Sequence, residues 1–212
     1  MIIISSINNL IGRVFTRFTL PLRGVMRGKG CELSFCDGHA ISGVGNNLEF
    51  GDESKLSHCV FIIKGNNNVV KVGKRCRLSG VTFWISGDNN EIVLGDDTTV
   101  GKNTEFATLE GTKIIVGNDC MFSHTIQLRT SDSHSIVDAH GNRINNALDI
   151  IIGNHCWIGL DCLILKGSTL GDDSVLAARS ILNKKYKETG CLIGGTPAII
   201  LKDNINWDRK RL

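Results

Sequence analysis

The fold is decided by the stretch from Ile152 to Leu182, which reads IGNHCWIGLDCLILKGSTLGDDSVLAARSIL. Every sixth residue of this stretch is isoleucine or leucine, and the residue four positions after each of the first five anchors is small. A helix would instead repeat its apolar residues about every 3.6 positions. The spacing therefore predicts short strands joined by sharp corners, three strands to a coil, with the coils stacked into a triangular prism. The apolar anchors are Ile152, Ile158, Ile164, Leu170, Leu176 and Leu182.

The same pattern extends upstream with a period of 22 residues, marked by the pairs Phe50-Gly51, Val72-Gly73, Leu94-Gly95 and Val116-Gly117. Each unit holds three hexads and four extra residues, which we interpret as a turn. These turns place Asn46, Asn68 and Asn90 at equivalent positions, followed by Thr112. The predicted inward anchors are Phe50, Leu56 and Ile62; Val72, Leu78 and Trp84; Leu94, Val100 and Phe106; and Val116, Phe122 and Leu128.

These residues resemble the hexapeptide-repeat acyltransferases, and the most typical segment is the IGNHCWIG that begins at Ile152. The resemblance implies an all-β fold, a left-handed parallel β-helix, whose hand comes from the family and not from the spacing. We expect the β-helix over residues 31–183, a protruding loop at about residues 129–150 and a closing segment over residues 184–212. The basic tail from Asp208 to Leu212 is expected to be solvated.

Residues 1–30 do not follow the hexads. Ile11, Val14, Phe15 and Phe18 fall on one helical face, and Arg13 and Arg17 on another. We predict a helical segment that caps the open end of the prism. The alternative is an amphipathic helix that associates weakly with an anionic membrane surface.

The composition is that of a globular chain. Of 212 residues, 42% are hydrophobic and 21% charged, which excludes a disordered chain. A net charge of +3 is too small to indicate a nucleic-acid partner. Because the first ten residues lack the features of a signal peptide, we expect a cytoplasmic protein with reduced thiols. The cysteines expected to face the core, at the small position of the hexads, are Cys76, Cys120, Cys156 and Cys162.

The repeat is interrupted once, between Leu128 and Ile152. A long loop on a rigid scaffold is a common place for function. This loop carries His134 and His140, and histidine is the natural base for removing a proton from a hydroxyl near neutral pH. A neighbouring carboxylate would orient the imidazole, and both Asp132 and Asp138 are close in sequence.

The run RTSDSH that starts at Arg129, together with Trp157-Ile158-Gly159, resembles the bacterial polysaccharide O-acetyltransferases, including those that modify capsular sialic acid. The resemblance implies that His134 is the catalytic base, supported by Asp132, and that Trp157 and Arg129 shape the acceptor or acyl site. His140 stays open as an alternative base. The implied acceptor is a carbohydrate hydroxyl of a capsule or O-antigen polysaccharide or its precursor. The implied assembly is a homotrimer with its active sites between subunits.

Acetyl-coenzyme A (acetyl-CoA) is the acyl donor that the resemblance implies, with no metal. The small side chains of Ala177 and Ala178 would let a pantetheine arm lie against the backbone. Arg179, Lys184 and Lys185 are candidates for contacting the phosphates.

Three alternatives stay open at this stage. One is an N-acetyltransferase acting on an amino-sugar nucleotide, although no additional nucleotide-binding domain is evident. A second is a zinc carbonic anhydrase on the same prism, which is disfavoured because the histidines share no common register. A third is a non-catalytic β-helix scaffold, which would leave the long polar loop unexplained.

Overall fold

In the computed structural model, which describes residues 24–210, short strands alternate with tight corners along the described chain except at residues 130–149. The strands are β1 (Val25–Arg27), β2 (Glu32–Ser34), β3 (Asp37–Ser42), β4 (Asn47–Phe50), β5 (Lys55–Ser57), β6 (Val60–Lys64), β7 (Val69–Val72), β8 (Arg77–Ser79), β9 (Val81–Ser86), β10 (Glu91–Leu94), β11 (Thr99–Val100), β12 (Thr104–Leu109), β13 (Lys113–Val116), β14 (Met121–Phe122), β15 (Gln127–Arg129), β16 (Ile150–Ile152), β17 (Trp157–Ile158), β18 (Leu163–Leu165), β19 (Thr169–Leu170), β20 (Val175–Leu176), β21 (Ile181–Leu182), β22 (Lys185–Tyr186), β23 (Leu192–Gly195) and β24 (Ala198–Lys202).

The strands form three sheets, which are the three faces of the predicted prism. Every third strand belongs to the same face, and neighbours within a face are parallel except for the final antiparallel pair, β23 and β24. We call them face 1 (β1, β4, β7, β10, β13, β16, β19 and β22), face 2 (β2, β5, β8, β11, β14, β17, β20, β23 and β24) and face 3 (β3, β6, β9, β12, β15, β18 and β21). The structure confirms the parallel β-helix predicted from the hexads.

Identical positions of successive coils stack into columns, which make up the core. On face 1, Leu48 pairs with Val70, and Val70 pairs with Ile92 one coil further on. On face 3, the rings of Phe61 and Phe83 are parallel, with centroids 5.0 Å apart. The four cysteines predicted to face the core are buried, at 2% exposure or less.

The inward anchors of two coils are displaced by one residue from those predicted. Phe61 and Phe83 are fully buried, whereas Ile62 and Trp84 point outward and are half-buried. The corner before face 3 is the cause. Leu78 pairs with Val100, and Val81 pairs with Thr104. The corner after Val100, in the fourth coil, is therefore one residue longer than the corner after Leu78, in the third coil. The prediction of Ile62 and Trp84 as core anchors was therefore wrong.

The predicted asparagine turns form a buried ladder of side chains. The Asn46 Oδ1 atom accepts hydrogen bonds from the backbone N–H and side-chain Nδ2 of Asn68, at 3.0 and 3.1 Å. The Asn68 Oδ1 atom accepts the same two bonds from Asn90, at 2.9 and 3.1 Å. Thr112 continues the ladder through its backbone N–H, which donates to Asn90. Each rung satisfies the backbone of the next turn.

Strands of the three sheets also lie before and after residues 31–183, the range expected for the β-helix. β1 falls inside the segment 1–30, and β22 to β24 fall inside the closing segment 184–212. The amphipathic pattern from Ile11 to Phe18 lies outside the described residues. Among residues 24–210, no helix has the length and apolar character needed to cross a bilayer.

Candidate active site

The interruption of the repeat is an ordered loop at one edge of the prism. It leaves face 3 after β15 and returns to face 1 at β16, so that residues 130–149, the long loop, lie on the edge between these two faces. The N–H of Leu148 donates to the carbonyl of Thr130 at 3.0 Å and closes the base of the loop. At its tip, the Asp138 carboxylate accepts hydrogen bonds from the backbone N–H groups of His140 and Asn142.

An ion pair ties the long loop to the preceding coil. The Arg143 guanidinium donates to both Glu110 carboxylate oxygens at 2.6 and 2.9 Å, and the Ser131 hydroxyl donates to the same group at 2.6 Å. The hydrogen bonds from Arg143 and then Ser131 lower the pKa of Glu110 to about 2. The loop is thus bound to the scaffold by charge-assisted hydrogen bonds.

Asp132 binds the following coil in the single chain. Its Oδ2 atom accepts hydrogen bonds from the Lys166 ammonium and from the Asn145 amide. The bond from Lys166, followed by the bond from Asn145, lowers the pKa of Asp132. Its carboxylate therefore helps to fix the base of the loop, and the support of His134 by Asp132 stays a prediction.

His134 lies on the exposed outer part of the long loop. Its backbone carbonyl accepts a hydrogen bond of 2.8 Å from the Asn145 amide. Within the described residues its imidazole makes no hydrogen bond, and the residue is exposed. The backbone is held while the ring is open to an incoming molecule. His140 is also exposed, at the tip of the loop.

Arg129 is the last residue of β15, directly before the long loop. Its Nη1 atom donates to the Glu105 carboxylate at 3.0 Å, and its guanidinium lies 6.0 Å from the centroid of the Trp84 ring. The side chain is half-buried on the outer surface of face 3. Arg129 therefore borders the loop.

Trp157 lies on face 2 and is separated from the long loop within one chain. It is the first residue of β17 and 39% exposed. The loop occupies the edge between faces 3 and 1, which is the edge opposite face 2. A single chain therefore does not bring His134 and Trp157 together.

Trp157 borders a polar cluster that the sequence analysis missed. His155 Nδ1 lies 2.7 Å from the Asp119 Oδ2 atom, and Arg209 Nε donates to Asp119 Oδ1 at 2.7 Å. The Trp207 indole donates to the His155 carbonyl at 2.7 Å and is only 8% exposed. Its ring centroid lies 6.1 Å from that of Trp157. The prediction of a solvated basic tail is wrong at Arg209, which is half-buried and also binds the carbonyls of Asp97 and Cys120.

A signal for part of this cluster was present in the sequence. Asp119 precedes His155 by 36 residues, which is the length of the interrupted unit, so that the two residues occupy the same corner of successive coils. The contribution of Trp207 and Arg209 had no such signal, because the tail lies outside the repeat. The two tail residues pack on the prism through their side chains and through the Trp207 carbonyl.

The candidate residues for the acyl donor lie on two edges of the prism. Ala177, Ala178 and Arg179 form the corner between faces 2 and 3, where Arg179 is exposed and pairs with Asp161 at 3.2 Å. Lys184 and Lys185 lie at the edge between faces 3 and 1, which is the edge that carries the long loop. Lys185 lines a cavity of about 410 Å³, with Gly153, Gly171, Lys187 and other residues.

The remaining histidines and the acidic groups offer no further centre in the described part of the chain. His58 stacks on Phe35, and the His124 Nδ1 atom accepts a hydrogen bond from the backbone N–H of Lys102. No three histidine, cysteine, aspartate or glutamate side chains among residues 24–210 are grouped so that they could hold a metal ion.

Comparison with known proteins identifies the family. A family model described as the hexapeptide repeat of succinyl-transferase matches residues 149–184. The chain superposes on the crystal structure of the polysialic acid O-acetyltransferase OatWY with a TM-score of 0.71 and 29% identity, covering 89% of this chain and 92% of that one. For the polySia-specific acetyltransferase NeuO the TM-score is 0.59 and the identity 30%, covering 88% and 86%. The chain therefore belongs to the hexapeptide-repeat acetyltransferases, as the hexads predicted.

Two relatives that are similar to part of the chain are named polysialic acid O-acetyltransferases. The chain is 34% identical over 91 residues to the polysialic acid O-acetyltransferase of Neisseria meningitidis, which is 42% of each protein. It is 38% identical over 90 residues to the enzyme of the same name from Escherichia coli O1:K1, which is 42% of this chain and 29% of the relative. The matched part thus spans less than half of either relative.

Proposed function

We propose that this protein is an acetyl-CoA-dependent O-acetyltransferase that acts on a hydroxyl of a carbohydrate. The acceptor is a cell-surface polysaccharide of the capsule or O-antigen type, or its precursor. The single observation that carries the proposal is an exposed histidine, His134, on an ordered loop of a chain that aligns over most of its length with a structure named polysialic acid O-acetyltransferase.

His134 is the general base of the proposed reaction. Its imidazole takes the proton of the acceptor hydroxyl as the hydroxyl oxygen bonds to the acyl carbon, and returns that proton to the departing sulfur. Acetyl-CoA supplies the activated acyl group. Positioned base catalysis of this kind accelerates a reaction by about 10²- to 10⁴-fold.

A cavity on face 1 and its adjoining corner has the chemistry expected for part of a coenzyme A molecule. Its walls include Gly153, Gly171 and Asp172, and its rim carries Lys185 and Lys187. A lysine ammonium binds phosphate as a point charge. We assign Lys184 and Lys185, at the edge between faces 3 and 1, to phosphate contacts. We assign Ala177, Ala178 and Arg179, at the edge between faces 2 and 3, to the other side of the same donor site in an assembly.

A homotrimer would bring the separated parts of this site together. The edge carrying His134 of one copy would face Trp157 of the next, with Trp157 shaping the acceptor or acyl site. Two exposed apolar residues suit burial between copies: Ile151 on face 1, at 46% exposure, and Leu160 just after β17, at 47%. Mixing inactive His134→Ala and Trp157→Ala proteins should restore part of the activity, since some mixed sites would hold both wild-type residues. A mixture that stays inactive while subunits exchange would contradict the shared site.

Acetyl transfer to a panel of acceptors tests the proposed function directly. The purified protein is incubated with acetyl-CoA and either polysialic acid, other acidic polysaccharides or an amino-sugar nucleotide, and release of the free thiol is followed. Mild base removes an O-acetyl ester but leaves an N-acetyl amide. The stability of the product in base therefore distinguishes an O-acetyltransferase from an N-acetyltransferase that acts on an amino-sugar nucleotide. No release of thiol with any acceptor, together with no binding of acetyl-CoA in calorimetry, would support a non-catalytic scaffold.

We propose a cytoplasmic location for the protein. All eight cysteines are free thiols, and seven of them are buried, as suits a reducing compartment. Cell fractionation followed by thiol labelling tests this, and oxidised cysteines in a periplasmic fraction would contradict it. Weak membrane association through the N-terminal segment, residues 1–30, remains a separate prediction, to be tested with vesicles that contain anionic lipid.

A further inference from the structure

Asn145 is a buried amide inside an exposed loop. Its exposure is 8%, whereas the adjacent Asn146 is exposed, as is His134. A buried side-chain amide needs partners for both of its N–H groups and for its oxygen. The partners of Asn145 therefore reveal what the residue does in the loop.

The Asn145 side chain binds the backbone of His134 and Ile136 and the side chain of Asp132. Its Nδ2 atom donates to the Asp132 carboxylate at 2.7 Å and to the His134 carbonyl at 2.8 Å. Its Oδ1 atom accepts from the backbone N–H of Ile136 at 2.7 Å and from Arg143 Nε at 3.2 Å. One side chain thus holds the loop at residues 132, 134 and 136.

The backbone of Asn145 is in turn fixed to the β-helix. Its carbonyl accepts a hydrogen bond of 3.0 Å from Lys166, which follows β18, and one of 3.3 Å from Arg143. Arg143 is held by the ion pair with Glu110 of the preceding coil. The hydrogen bonds of Asn145 therefore link His134 to two rigid coils.

We propose that Asn145 is the positioning residue for the catalytic base, and that it sets the place of the His134 imidazole by fixing its backbone. This inference rests on the proposed function of His134. A general base must lie within hydrogen-bonding reach of the proton it takes, and a displacement of about 1 Å reduces a rate by about 10²-fold. Asn145 acts through His134 and contacts no substrate itself.

The decisive variant is Asn145→Asp, which keeps the shape and the acceptor oxygen but removes both N–H donors. It also places a second carboxylate beside Asp132. We expect kcat for acetyl transfer to fall about 10- to 100-fold, while KM for acetyl-CoA changes less than about twofold. The matched control is Asn146→Ala, at the exposed neighbouring asparagine, which should keep wild-type values of both constants.

Hydrogen exchange supplies a reading that does not depend on activity. The Ile136 amide should exchange faster in Asn145→Asp than in the wild type or in Asn146→Ala, while the amides of β18 stay protected. In His134→Ala the Ile136 amide should stay protected, because Asn145 binds only the backbone of residue 134. If Asn145→Asp unfolds the coils, Asn145→Ser carries the same expectation without an added charge.

The outcomes separate this inference from the proposed function. Wild-type turnover in Asn145→Asp, with His134→Ala inactive in the same assay, would overturn the positioning role and leave the base assignment standing. Faster Ile136 exchange with unchanged kcat would likewise overturn it. Wild-type turnover in His134→Ala would remove the base and the positioning role together. Slow turnover with unchanged KM and faster exchange supports the proposal.

Discussion

The indole of Trp207 lies flat on the imidazole of His155, with ring centroids 4.4 Å apart and an angle of 12° between the planes. The contact joins the end of the chain to a corner of face 2, 52 residues earlier in sequence. Arg209 adds hydrogen bonds to Asp119 and Thr99 on neighbouring coils. The segment from residue 203 to residue 210, the tail segment, is thereby fixed on the prism beside Trp157.

Removing this aromatic contact should release the tail segment. In Trp207→Ala we expect trypsin to cleave after Lys202 at least about tenfold faster, because a loss of about 1.4 kcal/mol changes the opening equilibrium tenfold. The control is Lys210→Ala, since that exposed side chain makes no contact with the coils within the described residues. Equal cleavage rates in Trp207→Ala and the wild type would show that the packing does not hold the tail.

The same contact should depend on pH, because both ring nitrogens of His155 face acceptors. Nδ1 faces the Asp119 carboxylate and Nε2 faces the Trp207 carbonyl at 3.1 Å, so that both bonds need the protonated ring. Partial burial disfavours the charge, but the hydrogen bonds to Asp119 and to the Trp207 carbonyl outweigh it, so the pKa of His155 is raised.

The sign of the pH dependence follows from this raised pKa. The stabilisation of the tail contact by His155 is complete below its unfolded pKa of about 6.5. It is lost as the pH rises through the higher pKa of the folded state. Tryptic cleavage after Lys202, corrected for the activity of trypsin at each pH, should accelerate as the pH rises above about 6.5. His155→Gln should show a flat profile, and an equal acceleration in that variant would contradict the assignment.

Replacing two buried threonines by valine should change the free energy of unfolding in opposite directions. Within the described residues, the fully buried Thr108 hydroxyl has no hydrogen-bond partner. The Thr112 hydroxyl lies 2.6 Å from both the Leu109 carbonyl oxygen and the Thr130 hydroxyl. We expect Thr108→Val to raise the free energy of unfolding by about 1 kcal/mol and Thr112→Val to lower it by about 1–3 kcal/mol. Urea unfolding measures both, and a common sign would contradict the structure.

The asparagine ladder should be a main source of stability between the coils. Asn68→Ala removes the acceptor of two hydrogen bonds from Asn90 and leaves the buried N–H of Asn90 without a partner. We expect the free energy of unfolding to fall by about 2–4 kcal/mol. The control is Asn183→Ala, at an exposed asparagine, which should change it by less than about 0.5 kcal/mol. An equal effect of the two substitutions would contradict the role of the ladder.

Most of the fold was predictable from the sequence because each coil repeats the same physical requirement. An apolar side chain must point inward on every face, and a small residue must fit at the corner, so hexads persist from Leu48 to Leu182. The displacement at Phe61 and Phe83 was not predictable, because strands alternate inward and outward positions and apolar residues occupied both. Only the strand pairing reveals that the corner after Leu78 is one residue shorter than that after Val100.

The candidate site was predictable in its place but not in its contacts. The break in the repeat located the long loop and His134. The partner of Asp132 is Lys166, 34 residues later on the next coil, and local sequence gave no indication of that pair. The tail contacts of Trp207 and Arg209 depend on side-chain packing between segments far apart in sequence, which no periodicity encodes.

The most direct test of the central claim compares the two histidines of the long loop. The rate constant kcat/KM for acetyl transfer to a polysaccharide acceptor is measured for His134→Ala and His140→Ala, with circular dichroism confirming that both fold. We predict a fall of about 10²- to 10⁴-fold for His134→Ala and a value near that of the wild type for His140→Ala. A wild-type rate in His134→Ala, or the large loss in His140→Ala instead, would contradict the account.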